Sequence, residues 1–156
     1  MPTLATNKRA RYDYEITKTY EAGIVLLGHE VKSIKTGHIS LKGSFITVKG
    51  GANKNPELYL INAHIPLYKK ASTIENHDPD RSRKLLVKRK DINHLIGKKQ
   101  VEGLTLVPIK LYTKRSLIKL EFGIGKGKKK HDKRENIKKR DVDRQIRTLT
   151  KTRLAN

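Results

Sequence analysis

The segment that starts at Gly123 most constrains what this chain can fold into. It reads GIGKGKKKHDKRENIKKRDVDRQIRTLTKTRLAN and carries thirteen Lys and Arg against four Asp and Glu, a net charge of +9. Asp132 followed three residues later by Glu135 is a helix-start pattern. Val142, Ile146 and Leu149 then recur at helical spacing. Acids precede bases by one turn in Glu135–Lys139 and Asp143–Arg147, each pair worth about 0.2–0.5 kcal/mol. So narrow an apolar stripe is too weak to hold a helix down in water. The segment is therefore expected to sit outside any core and to fold onto something large and anionic.

The rest of the chain is basic too. Subtracting that +9 from the +21 of all 156 residues leaves +12 on residues 1–122. Charge of one sign this strong points to nucleic acid, ahead of an anionic membrane surface. No stretch is apolar enough to span a bilayer and the N-terminus has no signal-peptide core, so the cytoplasm is the expected compartment. There is no cysteine, which excludes disulfides, zinc fingers and thiol nucleophiles. The apolar share of 35% leaves material for one small core within residues 13–124.

Three regions follow: a basic, flexible N-terminal arm over 1–12, a body over 13–125 and the tail over 126–156. In the body, Tyr14, Ile16 and Tyr20 alternate with polar residues as in a half-buried strand. Ile24–Leu27 is a short apolar run that reads as a buried strand, stopped by Gly28. Glu30–Lys35 is a helix candidate ended by Gly37. Phe45–Lys49 and Leu58–Ile61 read as a hairpin around a polar loop at Ala52–Pro56. Residues 68–84 read as a long exposed loop. Leu85–Ile96 takes on helical spacing toward its end, closed by Gly97. Leu104–Tyr112 is a strand in which Pro108 favours an edge or a bulge. After a turn at Thr113–Ser116, Ile118, Leu120, Phe122 and Ile124 alternate with outward Lys119 and Glu121. Six short antiparallel strands with two or three small helices predict a mainly β fold, a small closed barrel of the oligonucleotide-binding type.

No constellation predicts catalysis. Among the six histidines, none pair at the i, i+4 spacing of a helical metal site. His77-Asp78 precedes Pro79 and reads as a turn. Gly123, Gly125 and Gly127 lack the later glycine of a dinucleotide-binding loop and read as a hinge between body and tail. No cofactor or metal is expected. Basic residues carry the stronger signal. Lys8, Arg9 and Arg11 adjoin Tyr12 and Tyr14, and Lys126, Lys128, Lys129 and Lys130 adjoin His131. Cations beside flat rings suit RNA, phosphates meeting the ammonium groups and bases stacking on rings. For the tyrosines, core packing is the stronger alternative. His131 has no apolar neighbours and is open to either a stacking or a charge role.

Five strings occur in an order that resembles the bacterial SsrA-binding protein (SmpB) family. They are Asn7-Lys8-Arg9-Ala10-Arg11, Tyr20-Glu21-Ala22-Gly23-Ile24, Gly28-His29-Glu30-Val31-Lys32-Ser33, Asp78-Pro79 followed by Arg83-Lys84-Leu85-Leu86, and Gly127-Lys128-Lys129-Lys130-His131-Asp132-Lys133-Arg134. The resemblance implies a protein that binds the tRNA-like part of transfer-messenger RNA and brings it to ribosomes stalled on messages without a stop codon. It implies an RNA surface containing Asn7, Lys8, Arg9, Arg11, Glu21, Leu86 and Lys119. Leu86 could equally be a core residue, the preferred reading. The resemblance also implies a tail that turns helical on the ribosome. Gly127, Lys128, Lys129, His131, Asp132, Lys133 and Arg134 would then reach the decoding centre of the small-subunit rRNA, with Ile146 and Leu149 in the empty mRNA path. Elongation factor Tu would be met indirectly, through the aminoacylated RNA, and the chain is expected to be monomeric. Two departures are visible: the Ala52–Pro56 loop is long, and Lys88 stands where a polar residue is sometimes found.

Two other readings compete. A ribosomal protein could thread such a tail permanently through rRNA, and a nuclease could use His131 and Asp132. The acids inside the tail suit a switching helix better than permanent burial, and a flexible tail gives a catalytic pair too little positioning. A peptide covering residues 131–156 is expected to be mostly coil by circular dichroism in dilute buffer; a stable helix there would contradict the conditional-helix reading.

Overall fold

The computed structural model describes residues 2–50, 55–69, 77–128, 138 and 140–147. The elements run β1 (Thr3–Thr6), α1 (Ala10–Asp13), β2 (Tyr14–Ile24), α2 (Gly28–Lys35) and β3 (Phe45–Lys49). They continue β4 (Glu57–Ile61), β5 (Arg83–Leu86), α3 (Arg89–Glu102), β6 (Thr105–Lys114) and β7 (Leu117–Gly127). All seven strands form one antiparallel sheet in the order β1-β6-β7-β2-β5-β4-β3. The sheet curls so that β3 approaches β6, yet among the described residues no ladder joins them. The expected closed barrel is thus a curled, open sheet.

Alternation produces the core as expected. Leu120, Phe122 and Ile124 of β7 are buried, with Leu106 and Leu111 of β6 and Leu58 and Leu60 of β4. Ile34 of α2 and Leu95 of α3 close over them. Each fully buried Leu or Ile contributes about 1.5–3 kcal/mol. Tyr20 lies half-buried in β2 as the alternation predicts, stacked on Phe122 with ring centroids 5.6 Å apart. Pro108 does sit at a bulge, where the β6–β7 register shifts between Pro108 and Lys110. Asp78 makes the expected turn, its side chain accepting the Asp80 N–H at 3.0 Å.

Several expectations fail for identifiable reasons. The arm is not flexible throughout: β1 pairs with β6, the Asn7 N–H donates to the Ile109 carbonyl at 2.7 Å, and Ala10 is buried against Val107 and Ile109. Val25–Leu27 is not a strand, and Val25 and Leu27 are exposed. Gly97 does not end α3. It lies on an exposed helical turn, where glycine costs only about 1 kcal/mol, and the helix ends at Gly103 with a left-handed φ of 63°. The expected hinge at Gly123, Gly125 and Gly127 is the end of β7. A Cβ on Gly125 would lie 2.6 Å from the Glu15 carbonyl oxygen, and one on Gly123 would lie 2.5 Å from the Ile16 Cγ2. These glycines let β2 and the strip beneath α1 close onto β7.

The largest departure is Arg83, placed by its polarity in a loop but fully buried in β5. Its Nε donates to Glu30 Oε2 at 2.7 Å. Its Nη1 donates to the carbonyls of Ala63 at 2.7 Å and Arg81 at 3.1 Å, and its Nη2 to that of Pro79 at 3.0 Å. Glu30 is equally buried, and its second oxygen accepts from Arg81 and, at 2.9 Å, from the Leu27 N–H that opens α2. Burial alone would push the Glu30 carboxyl up; Arg81, the Leu27 N–H and Arg83 outweigh it and hold the group below its ordinary 4.5. A carboxyl depressed in the fold adds stability above pH of about 4.5 and loses it as pH falls through its lower folded value.

Removing one partner of a buried pair leaves an uncompensated charge. Glu30→Ala is expected to destabilise by about 3–5 kcal/mol in urea unfolding. The combination Glu30→Met with Arg83→Leu is expected to recover a substantial part of that loss. A double variant as unstable as the sum of the two single ones would show that the two side chains act independently.

Candidate nucleic-acid interface

The outer face of the sheet is organised by its register. Lys119 of β7 lies opposite Tyr112 of β6 on one side and Gly23 of β2 on the other, and Gly23 lies opposite Leu86 of β5. One row therefore crosses four strands: Tyr112, Lys119, Gly23, Leu86. The next row holds Lys110, Glu121 and Glu21. Three residues singled out by sequence, Glu21, Leu86 and Lys119, thus converge around Gly23, over which the Leu86 side chain packs, 3.3 Å from where a Cβ would stand. Leu86 is 54% exposed, so the core reading of that residue is wrong. β5 starts at Arg83, two positions before the apolar run at Leu85, and its alternation puts Arg83 and Leu85 inward and Leu86 outward.

Electrostatics at this face centre on Glu21. Tyr112 donates its hydroxyl to Glu21 Oε2, and the Lys114 ammonium lies 3.4 Å from both carboxylate oxygens. Tyr112, then Lys114 and Lys119, hold the Glu21 carboxyl below its ordinary value, against a smaller opposing effect of burial. Burial, followed by the Glu21 contact, pushes the Tyr112 phenol well up, so it remains a donor. Lys110 pairs with Glu121 at 3.4 Å and lies 5.8 Å from the Tyr112 ring centre. A cavity of about 480 Å³ opens between Thr3, Glu21, Lys110, Tyr112 and Glu121. Tyr112 was not singled out from the sequence. Folding the β6–β7 hairpin about Arg115 and Ser116 places it opposite Lys119, and that pairing was the available signal.

The arm residues do not join this face. Asn7 is structural, its side-chain amide donating to the Pro108 carbonyl at 2.9 Å. Arg9 pairs with Asp13 at 3.2 Å and lies 5.1 Å from the Tyr12 ring centre. Lys8 and Arg11 are exposed. Tyr14 packs beneath α1 with Ile16, a core role. All of these lie at the opposite end of β2, where Tyr14 faces Gly127. The root of the tail is fixed there, Lys128 donating its N–H to the Asp13 carbonyl and its ammonium to the Arg11 carbonyl, each at 2.8 Å. Beyond it, Lys138 and residues 140–147 are helical. Val142 and Ile146 on that helix are 53% and 56% exposed. Lys129, His131, Asp132, Lys133, Arg134 and Leu149 lie outside the described residues.

A curled antiparallel sheet in a chain of net charge +21, with a basic extension, defines a class of protein built to meet a polyanion. Residues 4–152 match the family model described as SmpB protein. The chain is 48% identical over 152 residues to an SsrA-binding protein of Thermosipho melanesiensis, covering 97% of this chain and 99% of that one. It is 50% identical over 143 residues to one of Geobacillus thermodenitrificans, covering 92% and 88%. A solved chain from work on transfer-messenger RNA and SmpB in the bacterial ribosome superposes with a TM-score of 0.64 at 44% identity, covering 88% of this chain and 95% of that one. The chain belongs to the SmpB protein family. Among the described residues no helix is long and apolar enough to cross a membrane.

Tyr112 and Glu21 supply a direct check on this geometry. In Tyr112→Phe the Glu21 carboxyl is expected to titrate closer to its ordinary 4.5, followed by carboxyl-resonance NMR. An unmoved titration curve would mean that the hydroxyl does not hold the carboxylate.

Proposed function

We propose that this chain binds transfer-messenger RNA through the outer face of β6, β7, β2 and β5 and delivers it to stalled ribosomes for trans-translation, acting as an adaptor with no catalysis of its own. The observation that carries this reading is the convergence of Glu21, Lys119 and Leu86 around Gly23. Lys119 offers an ammonium to phosphate. Leu86 offers an exposed apolar surface to a sugar or base. Glu21 cannot take a phosphate; it accepts hydrogen bonds from base edges or fixes Lys114 and Tyr112 in place. The curled sheet suits an oligonucleotide-binding-type barrel whose closing strands do not pair.

The tail supports the second half of the reading. Among the described residues of the tail helix, Val142 and Ile146 are exposed, a narrow apolar stripe that suits folding against rRNA. His131 would then stack in the decoding centre with Asp132, Lys133 and Arg134 beside it, and Ile146 and Leu149 would line the mRNA path. Elongation factor Tu would meet the complex only through the aminoacylated RNA, in the cytoplasm, with the protein as a monomer.

Because β7 runs to Gly127, a chain ending at Lys128 keeps the whole sheet. It is expected to retain most of its affinity for the tRNA-like domain and to lose tagging of stalled products. Loss of RNA binding on that truncation would overturn the division of labour. Lys119→Ala is expected to lower the salt slope of binding by about 0.7–0.9; an unchanged slope would remove it from the phosphate contacts.

A further inference from the structure

Two histidines that the RNA-binding reading leaves unused meet at the seam between α2 and the segment that leads into β5. His29 is the second residue of α2, and His77 precedes the Asp78 turn. Both are half-buried. Their rings stand edge to face, with centres 4.9 Å apart and an interplanar angle of 77°. His29 Nε2 lies 3.0 Å from His77 Nδ1. The other ring nitrogen of His77, Nε2, lies 3.0 Å from the Ile65 carbonyl oxygen.

These two contacts fix where the protons are. A carbonyl oxygen only accepts, so His77 Nε2 carries a proton and donates it to Ile65. A neutral imidazole has one N–H, so His77 Nδ1 is an acceptor and His29 Nε2 is its donor. One added proton leaves one ring neutral, and the bond survives with a charge on one side. A second proton makes every ring nitrogen a donor. Nothing between the rings is then left to accept, and two cations face each other across 3.0 Å. The described charged groups around the pair are Glu30 and Lys32 on α2, His64 beside Ile65, Asp78, Asp80 and Arg81 on the 77–82 segment, and Arg83 on β5. The three carboxylates are committed elsewhere: Glu30 to Arg81 and Arg83, Asp80 to His64 at 2.9 Å, and Asp78 to the Asp80 N–H. The first turn of α2 also disfavours a cation at His29, because it is the positive end of the helix dipole.

We propose that His29 and His77 form a proton-sensitive latch: the pair holds the 77–82 segment against α2 while it carries at most one proton, and lets go when it carries two. The inference stands apart from RNA binding, although the strand that this segment leads into carries Leu86. Histidine side chains ordinarily change charge between about pH 5 and 8. Below that range an unfolded chain holds a proton on each of the two rings, whereas the closed latch holds one. The unfolded state then binds more protons, so stability falls as pH falls. Glu30, held below its ordinary 4.5, is still ionised at about pH 5. The latch therefore opens before the buried ion pair loses its charge.

The test is urea unfolding of the full chain between about pH 7.5 and about pH 5, for the wild type and for His29→Gln. The glutamine amide offers both a donor and an acceptor and takes no proton, so it can meet His77 in either charge state. Other titrating groups are common to both chains and cancel in the comparison. The ratio of the wild-type unfolding constant to that of His29→Gln is expected to rise toward the lower pH, by up to about tenfold per pH unit, the effect of one proton. His77→Gln serves the same comparison if His29→Gln does not fold. A ratio independent of pH would overturn the latch. Ring-nitrogen NMR of the wild-type chain supplies a second reading that needs no variant. The proton of neutral His77 is expected on Nε2; a proton on Nδ1 in its place would overturn the latch as well.

Discussion

A buried ion pair, Glu30 with Arg83, holds the two halves of the molecule together. Arg83 sits in β5, the strand that joins the hairpin of β3 and β4 to the long strands β2, β7 and β6. Glu30 sits in α2 and accepts the Leu27 N–H that starts that helix. The pair therefore sets the start of a helix and the position of a strand at once. Isolated burial of either charge would be strongly unfavourable. The four hydrogen bonds that Arg83 donates, one to Glu30 and three to the carbonyls of Ala63, Arg81 and Pro79, come together only when α2, β5, Ala63 and the 77–82 segment are all in place. This gives the fold an all-or-none quality at its weakest joint, where β5 has only four residues.

That joint also explains why the outer face is arranged as it is. β5 lies beside β2 through Gly23 and Ile24, and the Val25 N–H carries the contact one step further by donating to the Lys84 carbonyl at 2.9 Å. If Arg83 were displaced by one residue along the strand, Leu86 would turn inward, because side chains alternate between faces. The ion pair in the interior thus decides which leucine reaches the outer face. Two of the ordered strings that resemble the family, the one around Glu30 and the one around Arg83, are the two halves of this contact.

Much of the fold was legible in the sequence because alternation and helical spacing report burial directly. β7, β6 and the β3–β4 hairpin follow from that pattern, as does α2. What could not be read was whatever depends on a distant partner. A buried arginine looks like a loop residue until its glutamate, fifty-three positions away, is known. Glycines spaced by two look like a hinge until the neighbouring strand that needs the space is known. The candidate site divides the same way. Lys119 could be placed by alternation and Glu21 came with the family resemblance, whereas Tyr112 needed the hairpin register and the outward side of Leu86 needed the buried place of Arg83 in β5. Lys8, Arg9 and Arg11 were grouped with them by charge, and charge carries no address.

The glycine run at the end of β7 has a mechanical meaning. Since Gly123 and Gly125 are laddered into the sheet, these glycines are not a swivel. From Lys119, beside Gly23, to Gly127, beside Tyr14, the chain is one continuous strand, roughly 25–30 Å long at the usual rise. The molecule therefore works as a gauge. A ligand seated at one end fixes where the basic extension begins at the other, with a tolerance set by sheet stiffness and not by linker length. Lengthening or shortening that strand by a single residue would flip its faces as well as its length, so the spacing is quantised in steps of two residues.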